Sequence, residues 1–359
     1  MIPQHPGKWQ TQFQCITGKK EDPNNQRGIS LTSNVQKCLE KIISKRIQPI
    51  IRNNSTHLQG GGKKGEATEE YLLMMMTIID TNKKEGYNTK IIITDVKKAF
   101  DQAWRKGVFM NLAKRGVEGN ILKLIWKMNN NMKARIKHDE KTFSKEFYVE
   151  ESIRQGSGLS AILYAQHSGK LIEDCEEQDL GTTMGSIHVP AIGWQDDITM
   201  LAKNKKEEDT IVKTVVRSSK NQRIDFSDDK CKFIIIGNKK DDFENTEFDG
   251  KQLEKVDSGK VLGFYFNQKG NNDAHIEKKE KEAIDMIASM GVTIKSSKLY
   301  NIPPAAMITL YKTCIVPKLT YGLKACYLYK KDEEKLANVE RQILRNFGRL
   351  PESTPKAAL

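Results

Sequence analysis

Two stretches decide the fold of this chain: Ile91-Ile92-Ile93-Thr94-Asp95-Val96-Lys97-Lys98-Ala99-Phe100 and Ala191-Ile192-Gly193-Trp194-Gln195-Asp196-Asp197-Ile198-Thr199-Met200-Leu201. The first is an apolar, β-branched run, the composition of a buried strand, and it ends on a carboxylate. The second sets adjacent carboxylates between two β-prone runs, which predicts strand, tight turn and strand over residues 187–203. Charges flanked by buried strands must sit in a turn at the sheet's end or be neutralised by a metal, because an isolated buried carboxylate is too costly to desolvate. Asp228-Asp229 and Asp241-Asp242 stand in polar surroundings and read as surface turns.

Acids at the ends of neighbouring strands converge readily, and Mg²⁺ takes carboxylate oxygens together with substrate phosphates. With two such ions, one activates an attacking hydroxyl while the other holds a triphosphate and its leaving pyrophosphate. Phe100 follows Asp95 closely enough for its ring to lie beneath a nucleotide sugar. In Gln155-Gly156-Ser157-Gly158, glycines beside polar side chains open a helix. Glycine lets backbone approach a base or sugar, and a helix N-terminus favours phosphate.

Composition agrees with a polyanionic partner. The chain has 359 residues, more than one compact core usually takes, so about two or three subdomains are expected. Lys+Arg number 59 against 46 Asp+Glu, a net charge of +13, which attracts nucleic acid through counterion release. Cys15, Cys38, Cys175, Cys231, Cys314 and Cys326 are scattered, without a C-x-x-C pair or a His at zinc spacing. This implies reduced thiols, no structural zinc and an intracellular setting, in nucleus, cytoplasm or mitochondrion. No apolar run reaches the roughly 18 residues of a membrane span, and no signal-like apolar core stands at the start, so no membrane partner is expected.

Helical spacing of Val35, Leu39, Ile42, Ile43, Ile47 and Ile50 predicts a helix. A basic glycine loop, residues 60–65, precedes a helix from Glu69 to about Asp80 with Thr68 as cap; its Tyr71–Met76 run reads as buried core. Further helices are expected over 104–114, 121–128, 159–177 and 207–220, and strands over 142–149, 233–236 and 261–266. Residues 239–249 read as a charged loop. From His275 onward the chain reads as helical and basic, broken at Pro303-Pro304 and Pro317.

The order of these pieces resembles the reverse transcriptases of non-LTR (LINE-like) retrotransposons over nearly the whole chain. Gln26-Arg27-Gly28-Ile29-Ser30-Leu31 is similar to that family's R-P-I-S-L segment, and Gly62-Lys63-Lys64-Gly65-Glu66-Ala67-Thr68-Glu69 to its G-F-R-K-G-R-S-T-E loop. Asp95–Asp101 resembles motif A, Arg154–Ser160 motif B, Trp194–Asp197 motif C, Asp229–Lys232 motif D and Leu262-Gly263 the primer grip. Leu310-Tyr311-Lys312, residues 317–322 and residues 336–345 resemble the thumb that follows. Each motif is loose, but seven in one order are specific.

The resemblance implies an α+β polymerase right hand: fingers over 1–89, palm over 90–135, a fingers–palm connection over 136–150, palm with motifs B to E over 151–268, and a helical thumb over 269–359. It implies RNA-directed DNA synthesis with two Mg²⁺ ions, Mn²⁺ being an alternative. Asp95, the Val96 carbonyl, Asp196 and Asp197 would hold the metals. Phe100 would be the steric gate, and Gln155 and Gly156 would meet nucleotide and template. Arg27 with Lys19 or Lys20 would bind triphosphate or template. Lys63, Lys64, Ser157, Leu262 and Gly263 would touch nucleic acid, and Lys230 would protonate pyrophosphate. The implied partners are RNA template, DNA or RNA primer and dNTP. An endonuclease or other subunit would have to act alongside, since no endonuclease or zinc knuckle is visible.

Against the family pattern, Gly28 replaces proline, Gly62 an aromatic, Glu66 arginine, Gln195 alanine, Gly158 proline and Ala165 asparagine. Glu66 and Gly28 motivate the alternative of a catalytically weak or inactive, domesticated fold serving as an RNA-binding scaffold. An RNA-dependent RNA polymerase is a third reading, against which Phe100 speaks.

Overall fold

The computed structural model describes residues 10–15, 28–137, 142–237, 245–296, 303–348, 351 and 353–355. In chain order the elements begin with β1 (Gln10–Cys15), β2 (Gly28–Leu31), α1 (Asn34–Asn54), α2 (Thr68–Lys84), β3 (Thr89–Thr94), α3 (Arg105–Lys114) and α4 (Gly119–Asn129). Next come β4 (Met132–Lys137), β5 (Phe147–Val149), α5 (Ser160–Glu176), β6 (Thr182–Met184), β7 (Ile187–Val189), β8 (Ala191–Trp194), β9 (Asp197–Ala202) and α6 (Lys205–Gln222). The remainder is β10 (Lys232–Ile236), β11 (Glu247–Phe248), β12 (Lys251–Gln252), β13 (Glu254–Lys255), β14 (Ser258–Val261), β15 (Phe264–Asn267), α7 (Asp273–Ser296), α8 (Pro304–Leu310), α9 (Val316–Thr320) and α10 (Lys330–Gly348), with a π-helical turn at Tyr311–Ile315.

The chain forms two compact units. The first comprises Met1–Ala67, Ile91–Lys232 and Asn245–Glu254; the second comprises Thr68–Lys90, Phe233–Glu244 and Lys255–Leu359. In the first unit β3, β9 and β8 lie side by side in that order. The hairpin β8–β9 is antiparallel, with Trp194 opposite Asp197. Helix α5 packs on β8, α3 and α6, and is buried almost all round, as befits a central helix. A second sheet runs β2-β1-β4-β5, with β1 antiparallel to β2 and parallel to β4. In the second unit, Ala283, Ile315, Leu319, Val339 and Ile343 form an apolar core shared by α7, α9, α10 and the π-turn.

Several elements differ from the sequence expectation. Helix α1 is capped by Ser33, whose side chain accepts from Gln36 N at 3.2 Å. Its buried stripe is Gln36, Glu40, Ile43, Ile47 and Ile51, whereas Val35 and Ile42 face solvent. Polar side chains occupy the core-facing positions because Glu40 has a buried partner, described below. Residues 142–149 are not one strand: β5 covers only Phe147–Val149, and Phe143 makes an isolated bridge to Lys137. Residues 261–266 are a hairpin, because Leu262 (φ 47°) and Gly263 (φ 82°) both adopt the positive φ of a tight two-residue turn. In α2, Tyr71, Leu72 and Met75 are buried, but Leu73 is exposed. Among the described residues five cysteines are free thiols, and no helix is long and apolar enough to cross a membrane.

Candidate active site

The apolar strand β3 delivers Asp95 to the end of the first unit's central sheet. The backbone there is fixed from the side: Ser227 N donates to Asp95 O (2.7 Å), Lys97 N donates to Asp225 O (2.8 Å), and Val96 bridges Phe226. Asp196 arrives on the two-residue turn between β8 and β9. Asp95 and Asp196 line one cavity of about 780 Å³ together with Val96, Lys97, Phe100, Asp101, Gln155, Gln195 and Lys230. The strand ends expected to converge therefore do so. Asp197 opens β9 with an exposed side chain and is not among the lining residues.

Electrostatics of the cavity are set by lysines. Lys230 Nζ lies 3.1 Å from Asp95 Oδ2. At the rim, Asp228 accepts from Lys251 (2.5 Å) and Lys97 (3.2 Å), and those contacts hold its carboxyl below the usual carboxylate range. The acid pair read as a bland turn thus orients Lys97 at the mouth of the site. Phe100 is backed by Tyr164, ring centroids 5.0 Å apart and tilted by 34°. Burial, reinforced by the Asp196 charge, pushes the Tyr164 hydroxyl far up, so it stays protonated.

The 154–160 loop is held by the edge of β2 and by α1. Ser30 N donates to Gln155 O (2.8 Å) and Gly158 N donates to Glu40 Oε2 (2.8 Å). Glu40 also accepts from Gln36 Nε2 (2.9 Å) and pairs with Arg154 at 3.4 Å, with side chains 0% and 1% exposed. Burial lowers the Arg154 pKa. Gly156 has φ 93°, and a Cβ there would meet Ile29 and Ser30 O at 3.3 Å. Ser157 Oγ accepts from Leu159 N at 3.3 Å, acting as a local turn contact.

Other expected contacts fall elsewhere. Lys63 is buried, donates to Thr56 O at 2.5 Å, and burial holds its pKa down to about 8; it supports the loop rather than facing nucleic acid. Lys64 is exposed and its N–H donates to Gln48 Oε1. Glu66, the charge reversal, lies 3.8 Å from Arg52, so the fold meets it with a local cation. Leu262 and Gly263 belong to the second unit, where Leu262 O accepts from Tyr321 OH at 2.6 Å. Arg27, Lys19 and Lys20 lie outside the described residues.

Sequence reasoning missed Gln59, Glu40, Ser168 and Tyr164. Glu40, set at helical spacing among the α1 isoleucines, was the one local signal; Gln59 lies outside any helix, and the long-range partners of both are more than 100 residues away.

The donor set suits a hard cation. Among the described residues no three His, Cys, Asp or Glu side chains converge on a metal-sized site. The cavity offers the carboxylates of Asp95 and Asp196 beside Val96, with Asp101 also on its lining. Mg²⁺ is commonly bound through one or two carboxylates, with substrate phosphates and water completing its shell, so these residues fit it.

The family profile described as "Reverse transcriptase (RNA-dependent DNA polymerase)" matches residues 18–266. The chain belongs to the reverse transcriptase family. Its curated relatives include Pol polyproteins of a type-1 retrotransposable element, R2. It is 20% identical over 318 residues to the Pol polyprotein of the R2 retrotransposable element of Popillia japonica, covering 86% of this chain and 43% of that protein. It is 23% identical over 277 residues to the R2 polyprotein of Nasonia vitripennis, covering 74% and 26%. The chain thus spans less than half the length of these relatives. Solved telomerases share the fold. The Candida albicans enzyme with a TWJ fragment of telomeric RNA has TM-score 0.52 at 10% identity, covering 98% of this chain and 64% of that one. Apo telomerase of Candida tropicalis has TM-score 0.52 at 11% identity, covering 100% and 70%. This reverse transcriptase has the α+β fold of the right-hand polymerases.

Proposed function

We propose that this chain is an RNA-directed DNA polymerase that extends a primer 3′-hydroxyl with dNTP on an RNA template, using two Mg²⁺ ions or Mn²⁺ in their place. The observation that carries this reading is the meeting of Asp95, Asp196, Phe100, Gln155 and Lys230 around one cavity in a reverse transcriptase-family chain. Asp95, the Val96 carbonyl and Asp196, with Asp197 adjoining, would hold the metals. When bound, the ions supply Lewis-acid activation of the hydroxyl and neutralise charge on the triphosphate.

The chain's own side chains supply the rest. Phe100, supported from behind by Tyr164, occupies the space a 2′-hydroxyl would need and selects dNTP over NTP. Gln155, its carbonyl fixed by Ser30, presents its amide to the incoming nucleotide. Lys230, exposed and poised 3.1 Å from Asp95, delivers a proton to the leaving pyrophosphate. The net charge of +13 draws template and primer onto the surface.

The test is primer extension on an RNA template with dNTP and Mg²⁺, with Asp196→Asn as control. Asp196-dependent extension is expected. Salt-sensitive RNA binding with no incorporation would favour the scaffold reading instead, and preference for NTP would favour RNA synthesis.

A further inference from the structure

The turn that carries Asp196 is built around a strained residue. Gln195 has φ 60°, a left-handed conformation that side chains other than glycine, asparagine and aspartate seldom adopt, and such strain persists only where surrounding contacts over-determine it. One side chain reaches both polar groups of its backbone. Gln59, 1% exposed, accepts from Gln195 N at 2.8 Å through Oε1 and donates to Gln195 O at 3.1 Å through Nε2. It thus holds both polar groups of Gln195's backbone, including the carbonyl of the peptide that leads into Asp196.

The same amide is itself fully engaged. Gln59 Oε1 also accepts from Gly61 N (3.0 Å), and Nε2 also donates to Ser168 Oγ (3.1 Å). Ser168 Oγ donates to Gln195 O at 2.6 Å, closing the network from α5. The main chain adds a second grip: Gly193 N donates to Leu58 O (2.8 Å) and Gly60 N donates to Gly193 O (3.0 Å). Gly61 lies so close that a Cβ on it would run into the backbone of Gln195.

We propose that Gln59 is a positioning residue of the active site: its amide, with Ser168, clamps the Gln195 backbone and so sets the orientation of the Asp196 carboxylate toward the metals. This rests on the polymerase reading above and adds to it the residue that fixes the geometry of the acid. In a buried clamp with every donor and acceptor used, replacing the amide leaves the Gln195 N–H without its partner and its C=O held by Ser168 alone, and so loosens the turn.

The test uses the full chain as wild type, Gln59→Leu, Gln59→Glu and the double variant Gln59→Leu/Gln195→Gly. In primer extension, Gln59→Leu should lower kcat about 100-fold, since small misplacements of catalytic groups have that effect, while KM for dNTP stays within about threefold. Mn²⁺ affinity, followed by the paramagnetic resonance signal of the free ion, should weaken about 10- to 100-fold, as for other residues that orient a metal ligand. Amide hydrogen exchange in peptides covering 191–200 should accelerate. Gln59→Glu, which keeps the acceptor and sets a second carboxylate oxygen against Gln195 O, should be at least as impaired. Gln195→Gly removes the strain the clamp opposes, so the double variant should recover part of the loss.

An active wild type with Gln59→Leu keeping kcat and Mn²⁺ affinity within about twofold would overturn the proposal. An inactive wild type that also binds no Mn²⁺ in an Asp196-dependent way would instead remove the polymerase reading. Exchange then still decides the clamp, and unchanged protection of 191–200 in Gln59→Leu would overturn it.

Discussion

Glu40→Leu tests the buried pair beneath the motif B loop. The substitution removes a carboxylate with 0% exposure and leaves the Arg154 guanidinium, 1% exposed, without its counter-charge. Among the described residues none of the three Arg154 nitrogens makes a hydrogen bond, so Glu40 is its principal compensation. Breaking a buried ion pair from one side costs about 3–5 kcal/mol. The Gly158 N–H that donates to Glu40 sits on a part-exposed loop where water replaces the acceptor, so it adds little. For a unit of this size, about 2–4 °C per kcal/mol translates to a fall of about 6–20 °C in the melting temperature. A circular-dichroism melt reads it. The double variant Glu40→Leu/Arg154→Met removes both charges and should return to within about 2 kcal/mol of wild type, since apolar replacement of a whole buried pair is often neutral. A single variant within about 1 kcal/mol of wild type, or a double variant no better than the single, would refute the reasoning.

Three further outcomes are expected. Phe100→Val, by removing the ring that stacks on Tyr164, should raise use of NTP relative to dNTP about 10- to 200-fold in a direct competition; an unchanged ratio removes Phe100 as the gate. Lys230→Ala should leave stability within about 0.5 kcal/mol, its side chain being 64% exposed, while the single-turnover incorporation rate falls about 100-fold; a rate within about twofold would deny it the proton-donor role. His275 accepts from Tyr265 N (3.3 Å) and pairs with Tyr321 O (2.8 Å), and burial holds its pKa down to about 4, with Lys279 and Glu282 facing it. The unfolded chain binds a proton at about pH 6.5, so the stabilisation is present above that pH and is lost as pH falls toward 4, at up to about 1.4 kcal/mol per unit. The stability gap between wild type and His275→Gln, by urea titration, should narrow between pH 7 and 5; a constant gap contradicts the assignment.

The local facts were legible in the residues alone. Ile91–Ile93 ending on Asp95 predicted a buried strand with an acid at its exit, and Asp196-Asp197 between β-prone runs predicted a turn at the sheet's end or a metal, because burial disfavours solitary charge inside a sheet. Motif order carried the family. Whatever depends on residues far apart in the chain emerged only on folding. The tertiary structure placed Asp95 and Asp196 on one cavity and left Asp197 exposed beside it. It buried Lys63, which the sequence presents as one more cation in a glycine loop. It folded residues 258–267 into a hairpin through two positive φ angles that composition does not announce. Above all it brought Gln59 to Gln195 across 136 residues of chain. Periodicity and propensity describe neighbours in sequence, whereas a clamp of this kind exists only once a buried amide finds unsatisfied backbone groups on another element.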